Sequence, residues 1–393
     1  METHVVLLTL GGVFLAGVAA DSLGRRTRVP RVTLLLLIGV AIGPSGLDLL
    51  PTEVAEWYDL LSATALTLVS FLLGNALTPE RLRAHGRQII VVSVVVVLVS
   101  IPVMAGGLWL AGAPLALALV MAGIATATAP AATYDVVRES GAEGPFTDLM
   151  LGIVAVDDAW GLIAFSLLLI AIHLQAGDGA ALVLQEGLRE LGGTALLGVG
   201  LGVPAAYLTG RLRPGEPMQA EALGIVFLCA GLAIMLDLSF LLAGMIAGTT
   251  VANLARHHER AFHEIERIEW PFMLMFFILA GATFEATELD SVLPLILAFV
   301  ALRVAARILG GVLGGRLAVL PTVQRRWIGA ALMPQAGVSI GMALVAGEQL
   351  PHLRDEILAL TIATTIVFEI FGPLATVAAL HRSGETGKTR TPP

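Results

Sequence analysis

The sequence predicts an all-α, polytopic membrane protein of about thirteen transmembrane helices, built as inverted repeats with two broken helices. Three observations carry that expectation. Of the 393 residues, 56% are hydrophobic and only 14% charged, against about 25% charged in an ordinary soluble domain. Apolar runs of the roughly 20 residues needed to cross a bilayer recur along the whole chain, separated by Gly, Pro and charged clusters. Two of those runs carry a proline in their middle, at corresponding places in the two halves.

In chain order the spans cover roughly 4–22, 30–48, 57–77, 88–111, 114–137, 146–173, 187–210, 218–235, 239–255, 268–286, 290–314, 326–347 and 355–380. The first lacks a small-residue cleavage site and is one of many, so it reads as a span and not as a removed signal peptide. Residues 1–380 form one transmembrane domain, with 4–173 as a first half, 187–210 as a linking helix and 218–380 as a second half. Residues 381–393, HRSGETGKTRTPP, have the polar look of a short, disordered cytoplasmic tail. The longest polar connection, RHHERAFHEIERIEW from Arg256 to Trp270, reads as a solvated or headgroup-facing loop. Its His257, His258 and His263 could form a metal or pH-sensing cluster, a weaker reading than the plain loop. Neither segment can hold a nucleotide-binding fold, and neither a cofactor nor nucleic acid is expected. Cys229 is the only cysteine, which excludes an internal disulfide and a sulfur-ligated metal and leaves a small buried apolar residue.

Orientation follows from the basic residues, which collect in short cytoplasmic loops. Arg25, Arg26, Arg28 and Arg31 follow the first span, Arg81, Arg83 and Arg87 the third, Arg138 the fifth, and Arg211 and Arg213 the seventh. Arg256, Arg260 and Arg267 follow the ninth, Arg316, Arg325 and Arg326 the eleventh, and Arg382, Lys388 and Arg390 lie in the tail. Only Arg189 and Arg354 lie near the other side, so the N-terminus is expected outside and the C-terminus in the cytoplasm of a cell's inner (plasma) membrane. Arg303 and Arg307 fall inside the eleventh span.

The fifth span carries GIATATAPAATYD around Pro130, and the twelfth carries ALMPQAGVSIGMAL around Pro334. Proline removes a backbone donor and clashes with the preceding turn, so both helices should break. Interrupted segments in corresponding positions of two halves point to a transporter site. The glycines Gly310, Gly311, Gly314 and Gly315 read as close helix packing.

The stretch GIVAVDDAWGLIAF places Asp157 and Asp158 inside an otherwise apolar span. A charge at the bilayer centre costs about 2.5–3.5 kcal/mol on insertion scales, so two in succession are expected to be functional. Neighbours on a helix point about 100° apart, which gives the two aspartates different roles, one facing the gap left by the broken helices and the other a partner. Arg307 is the candidate partner of Asp157; Arg303, one turn earlier, is free to point elsewhere or to snorkel along its stem. Thr126, Thr128, the backbone carbonyls freed by the break and the aspartates offer the oxygen ligands that hard monovalent cations take. Burial in a low dielectric favours the protonated form of a carboxyl, so a proton can compete with the cation for the same oxygens. Thr126 and Thr128 are equally able to bond their own helix backbone. Glu369 is a further acid inside the last span.

These motifs resemble the monovalent cation/proton antiporter superfamily, specifically the bacterial sodium/proton antiporters with paired aspartates. The likeness runs through LLIGVAIGPSGLDLL, SFLLGNALTPERLRAHG, TATAPAATYDVVRESG, LGIVAVDDAWGLIAF, FFILAGATFE and RILGGVLGGRL, nearly the whole chain. The resemblance implies a core domain and a dimerisation domain, a homodimer, an elevator-like motion and a role in pH homeostasis. It places the main ion-binding role on Asp158, the salt-bridged role on Asp157, the broken-helix role on Thr126 and Thr128, and the basic-partner role on Arg307. Many paired-aspartate members have lysine where this chain has Arg307, and Gln335, Ala336 and Gly337 stand where relatives often show Arg-Gly-Glu, so no site role passes to that triplet.

The leading expectation is therefore a secondary Na⁺/H⁺ antiporter and not an enzyme, with Na⁺ or K⁺ held by Asp158 and Asp157. A K⁺/H⁺ antiporter or potassium efflux system and a sodium-coupled organic-anion symporter of the same fold stay open. An intramembrane aspartyl protease would use the Tyr134–Asp135 pair, but the chain lacks the Gly-x-Gly-Asp partner such enzymes need.

Overall fold

Backbone polar groups in hydrocarbon must pair within their own segment, which leaves the helix as the element a chain of this composition can use. The computed structural model describes residues 3–27, 31–44, 46–47, 49, 58–74, 86–175, 180–209, 218–255, 258–282, 289–335 and 338–386. Among the described residues there are fifteen α-helices, one short 3₁₀ turn and no strand. They are α1 (Thr3–Thr27), α2 (Arg31–Ile42), α3 (Tyr58–Gly74), α4 (Gly86–Leu110), α5 (Leu115–Ile124), α6 (Pro130–Ser140), α7 (Pro145–Gln175) and α8 (Ala180–Thr209). There follow α9 (Met218–Met235), α10 (Phe240–Leu254), α11 (His258–Ala282), α12 (Leu289–Leu317), α13 (Thr322–Ala331), α14 (Val338–Gln349) and α15 (Arg354–Ser383). With the interrupted pairs α5/α6 and α13/α14 each taken as one span, they match the thirteen expected spans, and the chain is a polytopic membrane protein.

Two compact units share the chain. One comprises Met1–Pro79 and Ile170–Phe284, the other Glu80–Leu169 and Glu285–Pro393. In the first, glycines let helix backbones approach closely. A methyl group on Gly248 of α10 would strike the Phe71 carbonyl oxygen of α3, and one on Gly281 of α11 would strike the Leu36 carbonyl oxygen of α2. The segment 256–270, expected as a loop, is helical over most of its length: α11 begins at His258. The reason is an apolar face inside the polar composition. Phe262 and Ile265, three residues apart, are buried in a cluster with Leu68, Phe71, Val226 and Val251, and the Phe71 and Phe262 ring centroids lie 5.3 Å apart. His263 and Glu266 stay exposed and pair at 3.4 Å. His257 and the side chain of His258 lie outside the described residues, and among the described residues no group of three or more His, Cys, Asp or Glu could hold a metal.

In the second unit the glycine cluster of α12 works as expected. Gly310 and Gly314 seat against Val96 and Val92 of α4, while Gly311 and Gly315 meet Gly329 and Arg325 of α13. The segment after 380 differs from expectation. Helix α15 continues to Ser383, Gly384 takes the left-handed conformation at φ 77°, and Glu385 turns back as a buried residue. Its carboxylate accepts hydrogen bonds from the amides of Phe146 (2.9 Å) and Thr147 (2.8 Å) and from the Thr147 hydroxyl (2.8 Å). Those amides belong to the first turn of α7, which has no intrahelical acceptor for them. Residues 387–393 lie outside the described residues.

Glu385 thus caps the helix that carries the paired aspartates. Glu385→Ala is expected to cost about 1 kcal/mol, as loss of a helix cap does, and to lower the melting temperature of the detergent-purified protein. Glu385→Gln, which keeps one acceptor, should fall between. Identical melting curves for all three proteins would show that the cap contributes nothing.

Candidate functional site

The second unit brings the two breaks together. Helix α5 ends at Ile124, Ala129 is extended at φ −96° and ψ 100°, and Pro130 opens α6, where a missing N–H costs nothing. Helix α13 ends at Ala331, Pro334 lies in the following non-helical segment, and α14 starts at Val338. The segments touch: the Ala129 amide donates to the Pro334 carbonyl at 3.0 Å. Helix α7 approaches the first break through Gly161, where a methyl group would sit 2.9 Å from the Thr126 hydroxyl oxygen. Asp157 lies four residues earlier, on the same helix face.

Arg303 and Arg307 of α12 are also four residues apart, and both are buried. Arg307 Nη1 donates to Asp157 Oδ2 at 2.8 Å, an ion pair with both side chains 0% exposed. Its Nη2 reaches the carbonyls of Ala125 (3.3 Å), Thr126 and Ala127 (3.2 Å). Arg303 donates from Nε to the Ala125 carbonyl (3.1 Å), from Nη2 to that of Ala127 (2.8 Å) and from Nη1 to that of Met333 (2.7 Å). Its guanidinium carbon stands 4.3 Å from the centroid of the Phe368 ring.

The residues named from the sequence divide by where they fall. Asp157 is fully buried, and its Oδ2 accepts from Arg307 and also from the Thr128 hydroxyl at 2.9 Å. Its Oδ1 has no hydrogen-bond partner among the described residues. Asp158 follows it in α7, with its side chain outside the described residues. Thr126 is not brought to Asp157: its hydroxyl donates to the Gly123 carbonyl at 2.6 Å, inside its own helix end. Glu369 of α15 is buried at 4% exposure. The freed carbonyls, expected as ligands for a cation, turn out to be occupied by arginine. Those of Thr126 and Met333 each accept from one guanidinium and those of Ala125 and Ala127 from both, so of the four only Thr126 and Met333 keep a second lone pair for an ion.

Arg303 is the residue that sequence reasoning missed. It does not snorkel; at 1% exposure its whole side chain is inside the protein. The available signal is its spacing, because residues four apart on a helix share a face and Arg307 is expected to point inward. Gln335 is a second such residue: it is fully buried, and its amide nitrogen donates to Thr365 Oγ1 at 3.2 Å.

A family model described as sodium/hydrogen exchanger, transmembrane, matches residues 10–381. The chain belongs to the sodium/hydrogen exchanger family. Membership makes cation/proton antiport across a membrane the general class of its activity. This exchanger is 25% identical over 299 residues to the ammonium/H⁺ antiporter subunit AmhT of Alkalihalophilus pseudofirmus, covering 74% of each chain. Its fold matches that of the sodium proton antiporter MjNhaP1 from Methanocaldococcus jannaschii with a TM-score of 0.76 at 18% identity, over 98% of this chain and 97% of that one.

The Thr128–Asp157 bond generates a direct test. A hydrogen bond to a charged group is worth about 1.5–3 kcal/mol, so Thr128→Val should raise the half-saturating cation concentration about tenfold while the maximal exchange rate changes little. Unchanged half-saturation in vesicle exchange assays would confine the hydroxyl to a structural part.

Proposed function

We propose that this exchanger is a secondary Na⁺/H⁺ antiporter that works by alternating access, with cation and proton competing for Asp158. The observation that carries this reading is the Asp157–Arg307 ion pair. Asp157 has a permanent partner, since an arginine keeps its proton at every accessible pH, and Thr128 adds a second donor to the same oxygen. The adjacent Asp158 is then the carboxylate left to exchange a proton for a cation. In this reading Thr128 and the Asp157 Oδ1 atom join Asp158 around the ion, and Thr126 contributes through the shape of the break. The transported ions are the substrates, and the reading includes no cofactor. We place the protein in the inner (plasma) membrane, N-terminus outside and C-terminus in the cytoplasm, as a homodimer serving pH homeostasis.

One observation favours a second reading of the cation. The relative from Alkalihalophilus pseudofirmus carries the name of an ammonium/H⁺ antiporter subunit, and NH₄⁺ and K⁺ are close in size. A K⁺- or ammonium-selective antiporter is therefore the alternative.

Asp158→Asn is expected to abolish exchange in everted vesicles, measured as dye-reported dissipation of a pH gradient on adding Na⁺, Li⁺, K⁺ or ammonium. Vesicles without the protein supply the reference for ammonia leak. Wild-type dissipation by the variant would remove Asp158 from the site, and the order of cations in the parent decides between the two readings.

Stoichiometry follows from the same pair. A lysine opposite Asp157 could release its proton during the cycle, whereas Arg307 cannot. One carboxylate then exchanges one proton for one cation, and transport is electroneutral. In proteoliposomes, cation flux under a fixed pH gradient should be insensitive to an imposed membrane potential. A flux that tracks the voltage would make Asp157 a second proton carrier.

A further inference from the structure

We propose that Arg303 is a positioning residue that clamps the two breaks to each other and sets the backbone against which the exchanging carboxylate works. This rests on the antiport reading above. The donors of the Arg303 guanidinium are divided between the breaks, with Nε and Nη2 holding Ala125 and Ala127 of the first and Nη1 holding Met333 of the second. Arg307 bonds Asp157 and carbonyls of the first break only. The two arginines are therefore not equivalent. Arg303 bridges both breaks through its side chain, beside the Ala129–Pro334 backbone bond.

The chemistry suits a clamp better than an ion-pair partner. Among the described residues no carboxylate takes a hydrogen bond from Arg303; its guanidinium meets three carbonyl oxygens and the face of Phe368. Phe368 is itself buttressed edge-on by Phe299, with centroids 6.5 Å apart. The Ala125 and Met333 carbonyls lie at or just past the C-terminal ends of α5 and α13, where the helix dipole concentrates negative charge. A planar fork with five fixed donors can join three such carbonyls, and its charge does not change through a transport cycle. The register of the breaks is thus kept while the neighbouring carboxylate gains and loses its proton.

R303K separates geometry from charge, because an ammonium keeps the charge but cannot span three carbonyls. Amide hydrogen exchange of the purified protein is expected to quicken about tenfold at both breaks, around Ala125–Ala129 and Leu332–Gln335, on loss of a charge-assisted bond. R307K should quicken exchange at the first break alone. In vesicles, R303K should raise the half-saturating cation concentration about fivefold, with a maximal rate near the parent's. Arg303→Gln runs alongside, so that misfolding of one variant leaves the other as the test. Parent-like amide exchange at the second break would overturn the clamp. Faster exchange at both breaks with an unchanged half-saturation would overturn the positioning role. A parent without any cation/proton exchange would sink the antiport reading and leave the amide data to decide the clamp.

Discussion

A helix broken inside an apolar environment leaves carbonyl and amide groups with no water to take them, at several kcal/mol for each one left unpaired. The second unit is organised around meeting that cost. The freed carbonyls of Ala125, Thr126, Ala127 and Met333 accept from two guanidiniums, and the Ala129 amide donates to the Pro334 carbonyl of the opposite break. Proline by itself does not make such a break. Pro102, Pro204, Pro271, Pro294 and Pro373 all lie inside helices that continue. The interruptions at Pro130 and Pro334 persist where donors and acceptors from elsewhere in the fold are waiting.

That requirement reaches outward through the packing. Two arginines can serve the breaks only if α12 lies close to them, and its glycine face makes room: Gly311 meets Gly329 of α13, and a methyl group on Gly329 would strike the Arg307 carbonyl oxygen. Helix α7 comes near through Gly161, which brings Asp157 to the pair formed by Arg307 and Thr128. The first turn of α7 is then held by Glu385 from the far end of the chain. Small residues set how near the helices come, and that distance decides which polar groups can meet.

The same constraint explains how a TM-score of 0.76 with MjNhaP1 coexists with 18% identity. What the fold needs is sparse: apolar spans of sufficient length, small residues at crossings, and donors placed to satisfy two breaks. Most apolar positions can change among themselves without disturbing any of these. Ion choice is more exacting, because it depends on which oxygens remain after the arginines have taken theirs.

The sequence by itself determined the all-helical membrane architecture, the number of spans, the two breaks, and the charged residues worth watching, Asp157, Asp158 and Arg307. Those features are written in local terms, as hydrophobic run length, prolines and charges where charge is costly. It misled at 256–270, which reads as a loop because the composition there is polar, although Phe262 and Ile265 recur at helical spacing and find a core to enter. It left Arg303 and Thr126 open because a side chain's partner is not a local property. Tertiary packing alone decided that the Thr126 hydroxyl turns back to Gly123 while that of Thr128 reaches Asp157, and that Arg303 spans carbonyls from residues 125 to 333. The partners of Thr128 and Arg303 lie far apart in the chain, and it is the packing of the helices that brings them within reach.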